Sequence, residues 1–180
     1  HDHVAIVGAR HHVVGQETFH QSHANFFVGN VQGVDAHLVG RLDMDTEGLL
    51  LFTTDGELTH RLISPKSHIS KTYLCCLEHS ETDEHQKEIT QLFEKGIEVG
   101  PEDNDEGFLC EPAFIKWIND STAHLTIYEG KYHQVKRMFV AVGNKIAFLK
   151  RISMGQLLLD ENLGLGEYKY LDETDLEKLV

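Results

Sequence analysis

The sequence lacks a long apolar segment and any recognisable targeting signal. None of its apolar runs approaches the roughly 20 residues that span a bilayer, and no basic-then-apolar pattern opens the chain. We therefore expect a cytoplasmic protein that does not bind a membrane. Hydrophobic residues make up 41% of the 180 residues and charged residues 25%, as is ordinary for a globular domain.

Cysteine is scarce, with Cys75, Cys76 and Cys110 as its three occurrences. The odd number and the adjacent pair argue against a disulfide framework, and the absence of a CxxC motif argues against structural zinc. We expect buried or half-buried free thiols in a reducing compartment.

Basic residues are outnumbered, with 16 against 29 acidic residues and a net charge of −13. This balance opposes nucleic-acid binding, because such binding depends largely on Lys and Arg contacts to phosphates. The charge is nevertheless uneven. Residues 78–107 hold eleven acidic and two basic residues, whereas residues 131–151 hold six basic residues and no acidic one. The second segment could form a positive stripe that holds a polyanion, and we interpret the first as solvated surface.

Residues 1–38 show no amphipathic period, and they contain seven of the thirteen histidines. Short strands are conceivable at Val4–Val7 and Phe26–Val28. The histidines lack the HExxH spacing, so scattered surface histidines are a better interpretation than a zinc site. We treat residues 1–38 as an atypical N-terminal segment and residues 39–180 as one domain.

From Gly40 onward, the pattern mixes strands and helices without a βαβ rhythm. The predicted strands are 48–54, 71–77, 113–118, 123–128, 145–152 and 156–159. The predicted helices are 57–63, one capped by Thr82 or Asp83 that runs to Lys95, 132–142, and a last one capped by Asp172 or Thr174. Residues 97–109 are predicted to form an acidic loop. The fold class is therefore α+β, with a mixed, largely antiparallel sheet and flanking helices.

Three carboxylates and an arginine crowd into residues 40–48, directly before a buried strand. Catalytic groups often lie on loops that a rigid scaffold holds. One interpretation is a turn in which Asp43 or Asp45 hydrogen-bonds its own backbone. A calcium loop of the EF-hand type is excluded, because its twelfth position would be Thr54 instead of Glu. The third interpretation is a catalytic aspartate oriented by Arg41.

The segment GRLDMDTEGLL at residues 40–50 resembles the signature of the RsuA/RluB/RluE/RluF group of pseudouridine synthases. Further blocks follow in the order of that family: TDG at 54–56, SPK at 64–66, KTY at 71–73, EGKYHQVKRM at 129–138, LKRISMG at 149–155 and GEY at 166–168. The HQVKRM form is closest to the branch that acts on small-subunit (16S) rRNA.

The resemblance implies the fold of a pseudouridine synthase catalytic domain, which flips a uridine out of ribosomal RNA and isomerises it without a cofactor or metal. It implies Asp43 as the catalytic carboxylate, Tyr73 as the tyrosine that packs on the target base, and Lys136 as the basic partner of the aspartate. The expected substrate-binding residues are Arg41, Lys71, His133, Gln134 and Arg137. Ribosomal RNA or a small-subunit assembly intermediate is the expected partner of a monomeric chain.

On the predicted helix 132–142, Lys136 lies about 100° from Val135, at the flank of the apolar face. Arg137 is expected to point further outward. This geometry favours Lys136 for contact with Asp43 and Arg137 for contact with phosphate. His133 is an acid–base candidate by residue type alone.

Two parts of the family pattern are missing from this sequence. It contains no segment that resembles an S4-type RNA-binding domain, and only residues 31–33 distantly resemble the Asn-Lys-Pro-x-Gly motif that opens the catalytic domain. Three alternatives therefore stay open. The chain could be a non-catalytic RNA-binding module with the same fold, a synthase that acts on 23S rRNA, or a metal-binding protein that uses Asp43, Asp45, Glu47 and nearby histidines.

Overall fold

A computed structural model describes residues 5–8, 37–165 and 167–179. The predicted strand at Phe26–Val28 lies outside these residues, as do six of the seven N-terminal histidines. The chain divides into two compact units, of which unit 1 comprises residues 1–69 and 153–180 and unit 2 comprises residues 70–152. The sequence-based boundary after residue 38 stays a prediction.

The described residues contain the following elements. The strands are β1 (Ala5–Gly8), β2 (His37–Val39), β3 (Thr46–Thr53), β4 (Lys71–Leu77), β5 (Glu98–Val99), β6 (Phe108–Leu109), β7 (Phe114–Trp117), β8 (Thr122–Ile127), β9 (Ile146–Met154), β10 (Leu157–Leu158) and β11 (Tyr168–Tyr170). The helices are α1 (Gly56–Ile63), α2 (Asp83–Lys95), α3 (Gln134–Ala141) and α4 (Glu173–Glu177), with a 3-10 turn at Pro65–Ser67.

Unit 1 is organised around β3, which pairs antiparallel with both β1 and β2, while β1 also pairs with β11. All eight residues of β3 are buried, as the apolar run in the sequence predicts. Asp55 is the N-terminal cap of α1, because its carboxylate accepts hydrogen bonds from the backbone of Glu57 and Leu58 at 2.9 and 3.1 Å. Helix α1 buries Leu58 and Leu62 in the core of this unit.

Unit 2 follows the order strand, helix, strand, strand, helix, strand, with the small β5–β6 pair inserted after α2. Its strands lie in the spatial order β9-β4-β8-β7, and the β4–β8 and β7–β8 pairs are antiparallel. This is a split βαβ arrangement of the ferredoxin-like type. The fold class is confirmed, and so are strand 71–77 and the helix that Thr82 caps and that runs to Lys95.

Both helices of unit 2 pack on one face of its sheet. Ile89 and Phe93 of α2, together with Val135, Met138 and Phe139 of α3, share a core with inward side chains of β4, β8 and β9. The rings of Phe93 and Phe139 meet edge to face at 5.4 Å, a favourable aromatic geometry. The other face of the sheet carries no helix of this unit.

The predicted acidic loop 97–109 is partly wrong, because β5 and β6 pair antiparallel within it. Apolar Val99 and Phe108 lie opposite each other in this pair, and both contact the unit 2 core. Glu81 also departs from the expected solvated acidic surface. It is 8% exposed and its carboxylate accepts a hydrogen bond from the Asn144 amide at 2.6 Å.

The three cysteines are free, with Cys75 and Cys110 buried and Cys76 half-buried, so the predicted burial of the thiols is confirmed. Burial raises the pKa of the Cys75 thiol well above its usual range and that of Cys110 to about 11. Among the described residues, no helix has the length and apolar character that crossing a membrane requires.

Candidate active site

Asp43 lies in unit 1, in the loop that connects β2 to β3. A backbone hydrogen bond of 3.0 Å from the Thr46 amide to the Asp43 carbonyl closes a tight turn just before β3. Asp43 is half-buried, whereas Asp45 and Arg41 are exposed. The fold therefore gives the two aspartates different environments, and Asp43 is the one partly withdrawn from water.

Lys71 and Tyr73 lie on the same side of β4 in unit 2, two residues apart, and both are half-buried. Tyr73 packs against the core. Burial lowers the pKa of Lys71, and the nearby positive charge of Arg151 lowers it further, while the Glu129 carboxylate opposes both effects. An electropositive, partly desolvated group of this kind is suited to an anionic ligand.

Arg151 and Glu129 are charged residues near Lys71 that the sequence analysis did not single out as site residues. Arg151 is 3% exposed on β9. The sequence signal that could have indicated Arg151 was its position within the LKRISMG block. A single basic residue in a predicted strand does not by itself indicate a functional site. Burial of a guanidinium costs free energy unless hydrogen bonds or opposite charges compensate the loss of water. We therefore regard the buried position of Arg151 as a specific feature of this region.

Gln134 takes part in the turn that leads into α3. Its amide nitrogen donates to the Glu129 carboxylate at 2.7 Å, and its amide oxygen accepts from the Lys131 backbone at 3.2 Å. The same Glu129 oxygen accepts from the Glu111 backbone at 2.7 Å. Gln134 is 3% exposed, so these bonds fix the start of α3. Its role in substrate binding stays a prediction.

His133 directly precedes α3 with a left-handed backbone, at φ 49°. Its Nδ1 lies 2.8 Å from the Glu102 carboxylate, and its ring stacks on Tyr132 at 3.8 Å. The Tyr132 hydroxyl donates to Asp103 at 2.8 Å, and this bond is the main cause that raises the pKa of Tyr132 to about 12. Two neighbouring rings therefore connect the start of α3 to residues 102 and 103.

Glu102, Asp103 and His133 are the described residues whose ligand atoms could hold a metal ion, since these atoms lie within 4.8 Å of one another. The metal-binding alternative proposed a different set around Asp43, Asp45 and Glu47. That set forms no such group within the described part of the chain.

The expectation that Arg137 points outward is wrong, because its side chain is 5% exposed. The guanidinium donates two hydrogen bonds to the Gly100 carbonyl, at 2.7 and 3.2 Å, one to Glu106 at 2.6 Å and one to Tyr132 at 3.1 Å. It also lies 4.8 Å from the centre of the Phe108 ring. Residues 100–106 thus cover this side of α3, and a helical projection of α3 alone could not foresee that cover.

Lys136 is half-buried, as its predicted position at the flank of the apolar face of α3 requires. Of the predicted site residues, Asp43 and Arg41 belong to unit 1. The other six belong to unit 2: Lys71, Tyr73, His133, Gln134, Lys136 and Arg137. The predicted contact between Lys136 and Asp43 stays a prediction.

Comparison with known proteins agrees with the motif blocks. A family model described as RNA pseudouridylate synthase matches residues 11–141. The "Ribosomal small subunit pseudouridine synthase A" of Vibrio cholerae is 46% identical over 150 residues, which are 83% of this chain and 61% of that protein. The protein of the same name from Haemophilus influenzae is 44% identical over 144 residues, 80% of this chain and 59% of that protein.

A solved structure described as "Crystal structure of pseudouridylate synthase" superposes with a TM-score of 0.73 at 43% identity, covering 81% of this chain and 60% of that one. The chain therefore spans about three fifths of the length of the relatives it matches. The resemblance stated from the motif blocks is confirmed. On the matched residues, the identities and the shared fold, the chain belongs to the RNA pseudouridylate synthase family.

Proposed function

We propose that this chain isomerises a uridine of ribosomal RNA to pseudouridine, and that its target lies in small-subunit 16S rRNA. The observation that carries the proposal is the GRLDMDTEGLL segment, whose Asp43 is half-buried in a tight turn before β3. Family membership supports the reaction, and the names of the curated relatives support the small subunit.

The reaction detaches uracil N1 from the ribose, rotates the base and joins its C5 to the sugar. A proton leaves C5 and a proton is gained at N1, so the atoms balance without a cofactor. Asp43 is the carboxylate that attacks or takes a proton. In this proposal Lys136 has the role that the family resemblance implies, that of the basic partner of the carboxylate. Tyr73 offers a ring face and a hydroxyl to the flipped base.

Substrate binding is assigned to Arg41, Lys71 and His133, with Gln134 shaping the turn before α3. The exposed guanidinium of Arg41 suits a phosphate of the flanking backbone. Arg137 donates four hydrogen bonds to backbone carbonyls. We therefore assign Arg137 to positioning residues 100–106 instead of contacting phosphate.

The partner in this proposal is ribosomal RNA or a partly assembled small subunit, met in the cytoplasm by a monomeric chain. A second candidate, a non-catalytic RNA-binding module, differs from the first in one measurable way only. It binds RNA and leaves the C5 proton in place.

The test is tritium release from RNA that carries 5-tritiated uridine. Substrates are 16S fragments, 23S fragments and partly assembled small subunits, and Asp43→Asn is compared with wild type. Asp45→Asn is the matched control, because it makes the same substitution at an exposed position two residues away. We expect release by wild type from 16S substrates, none by Asp43→Asn and a milder loss for Asp45→Asn.

Equal loss in the two variants would remove the assignment to Asp43. Release from 23S fragments alone would correct the substrate. Absence of release from every RNA, by a wild-type protein with a folded circular dichroism spectrum, would favour the binding module.

A further inference from the structure

The two faces of the unit 2 sheet differ in composition. Successive side chains of a strand point to opposite faces, so those that alternate with the core residues form what we call the open face. Its members are Thr72, Leu74 and Cys76 of β4, Thr122, His124 and Thr126 of β8, Phe114 and Lys116 of β7, and Phe148 and Lys150 of β9. Each of them is half-buried or exposed. Tyr73 points to the opposite, helix-covered face.

The open face places an aromatic ring beside hydroxyl groups. Thr126 lies between Thr72 and Phe114 across the strands, and the two threonine hydroxyls are 2.8 Å apart. Phe114 is 50% exposed, and its ring meets that of Tyr128 edge to face at 6.2 Å. Because this contact orients the Phe114 ring before any ligand arrives, little side-chain entropy is lost on stacking.

The next row across the strands is basic. His124 lies between Leu74 of β4 and Lys116 of β7, and Lys116 is exposed. The ten side chains of the open face include two lysines and one histidine but no carboxylate, although the whole chain has a net charge of −13. Glu78 would be the next residue of β4 on this face, but it lies beyond the end of the strand. Its carboxylate oxygen is 3.9 Å from Lys145 Nζ.

We propose that the open face is an RNA-binding surface for a single-stranded segment of the substrate, distinct from the surface that carries Tyr73. A base stacks on Phe114, Lys116 contacts a phosphate, and His124 and the threonine hydroxyls bond to base edges or the 2′-hydroxyl. Stacking on aromatic rings beside basic groups is how proteins hold single strands. The inference rests on the proposed function in one respect, that the ligand is RNA.

The composition favours RNA over a protein partner. Lysine is depleted in protein–protein interfaces, whereas this face carries an exposed lysine, Lys116, on its edge strand β7, two residues from Phe114. RNA recognition motifs also use the open side of a four-stranded sheet with aromatic residues. That likeness is one of architecture alone.

The test measures fluorescence anisotropy of a labelled oligouridine of about ten nucleotides, within the site sizes of single-strand binders, with the full chain. We expect Phe114→Ala to weaken binding about 5- to 140-fold, the range of base–aromatic stacking. Lys116→Gln should weaken binding and reduce the slope of log affinity against log salt by about 0.7. Lys87→Gln, an exposed lysine on α2, should bind as wild type does.

The proposal is overturned if both open-face variants bind with wild-type affinity while circular dichroism shows that they are folded. It is also overturned if the wild type does not bind the oligonucleotide. Lys116→Gln removes only an exposed charge, so it tests the face even where Phe114→Ala fails to fold. A concentration-dependent dimer in sedimentation that Phe114→Ala abolishes, without RNA binding, would assign the face to a second copy and overturn it too.

Tritium release separates this proposal from the proposed function. If wild type releases tritium and both variants bind the oligonucleotide as wild type does, the open-face proposal is refuted and the proposed isomerase activity stands. If both variants lose oligonucleotide binding and wild type releases no tritium, the open-face proposal stands and the proposed isomerase activity is refuted.

Discussion

Replacing Arg137 with methionine should loosen residues 100–106 and destabilise unit 2. The buried guanidinium donates four hydrogen bonds to the carbonyls of Gly100, Glu106 and Tyr132. A hydrogen bond to a charged group contributes about 1.5–3 kcal/mol. Because the four bonds share one side chain, and the released carbonyls can turn to water, their contributions do not add. We expect a loss of about 3–5 kcal/mol in the free energy of unfolding.

This loss corresponds to a decrease of about 6–20 °C in melting temperature for a chain of this size. Urea unfolding followed by circular dichroism gives the free energy, and hydrogen exchange read by mass spectrometry reports the amides of residues 100–106. Lys87→Met is the matched control, since the same substitution at an exposed site should change stability by less than about 0.5 kcal/mol.

Arg137→Lys should lie between Arg137→Met and wild type, because an ammonium keeps the charge but cannot reproduce the planar fork of donors. A loss below about 1 kcal/mol for Arg137→Met, against the typical size of such effects, would refute the reasoning. Unchanged exchange protection of residues 100–106 would do so as well.

Three further predictions concern local chemistry. Gly96→Ala should destabilise more than Gly143→Ala. Both glycines have positive φ. Of the two, only Gly96 would place the new Cβ against a neighbouring atom, the Cys110 carbonyl oxygen at 2.5 Å. The melting temperatures of the two variants measure the difference. One thiol of the three should react quickly with a disulfide reagent under mildly alkaline conditions, and Cys76→Ser should remove that phase, because burial protects the other two. Asp103→Ala should lower the pKa of Tyr132 from about 12 toward its ordinary 10.0, because the tyrosinate no longer faces that carboxylate. Absorbance titration measures this pKa, and comparison of wild type with Tyr132→Phe identifies the signal of Tyr132.

The sequence was informative where a pattern is local. Strand β4 has the bounds that the sequence predicts, and helix α2 begins after the predicted Thr82 cap and runs to Lys95 as expected. The two aspartates before β3 could be told apart only by the family motif, and the structure adds that Asp43 is half-buried and Asp45 exposed.

The sequence was uninformative where a contact joins distant residues. Arg137 contacts carbonyls 31 and 37 residues earlier in the chain, and such contacts leave no period in the sequence. The β5–β6 pair was hidden because two strands of two residues are shorter than any alternation can identify. Glu129 organises the turn before α3 through side-chain bonds, for which a single acidic residue gives no signal.

The alternation of β4 ties two surfaces to one short stretch of chain. Tyr73 faces the helix-covered side, and its neighbours Thr72 and Leu74 face the other side. A single inserted or deleted residue inside β4 would exchange the two sets, because the side-chain period of a strand is two. Homologous strands should therefore keep a fixed number of residues, because a change in the length of β4 would disturb both surfaces at once.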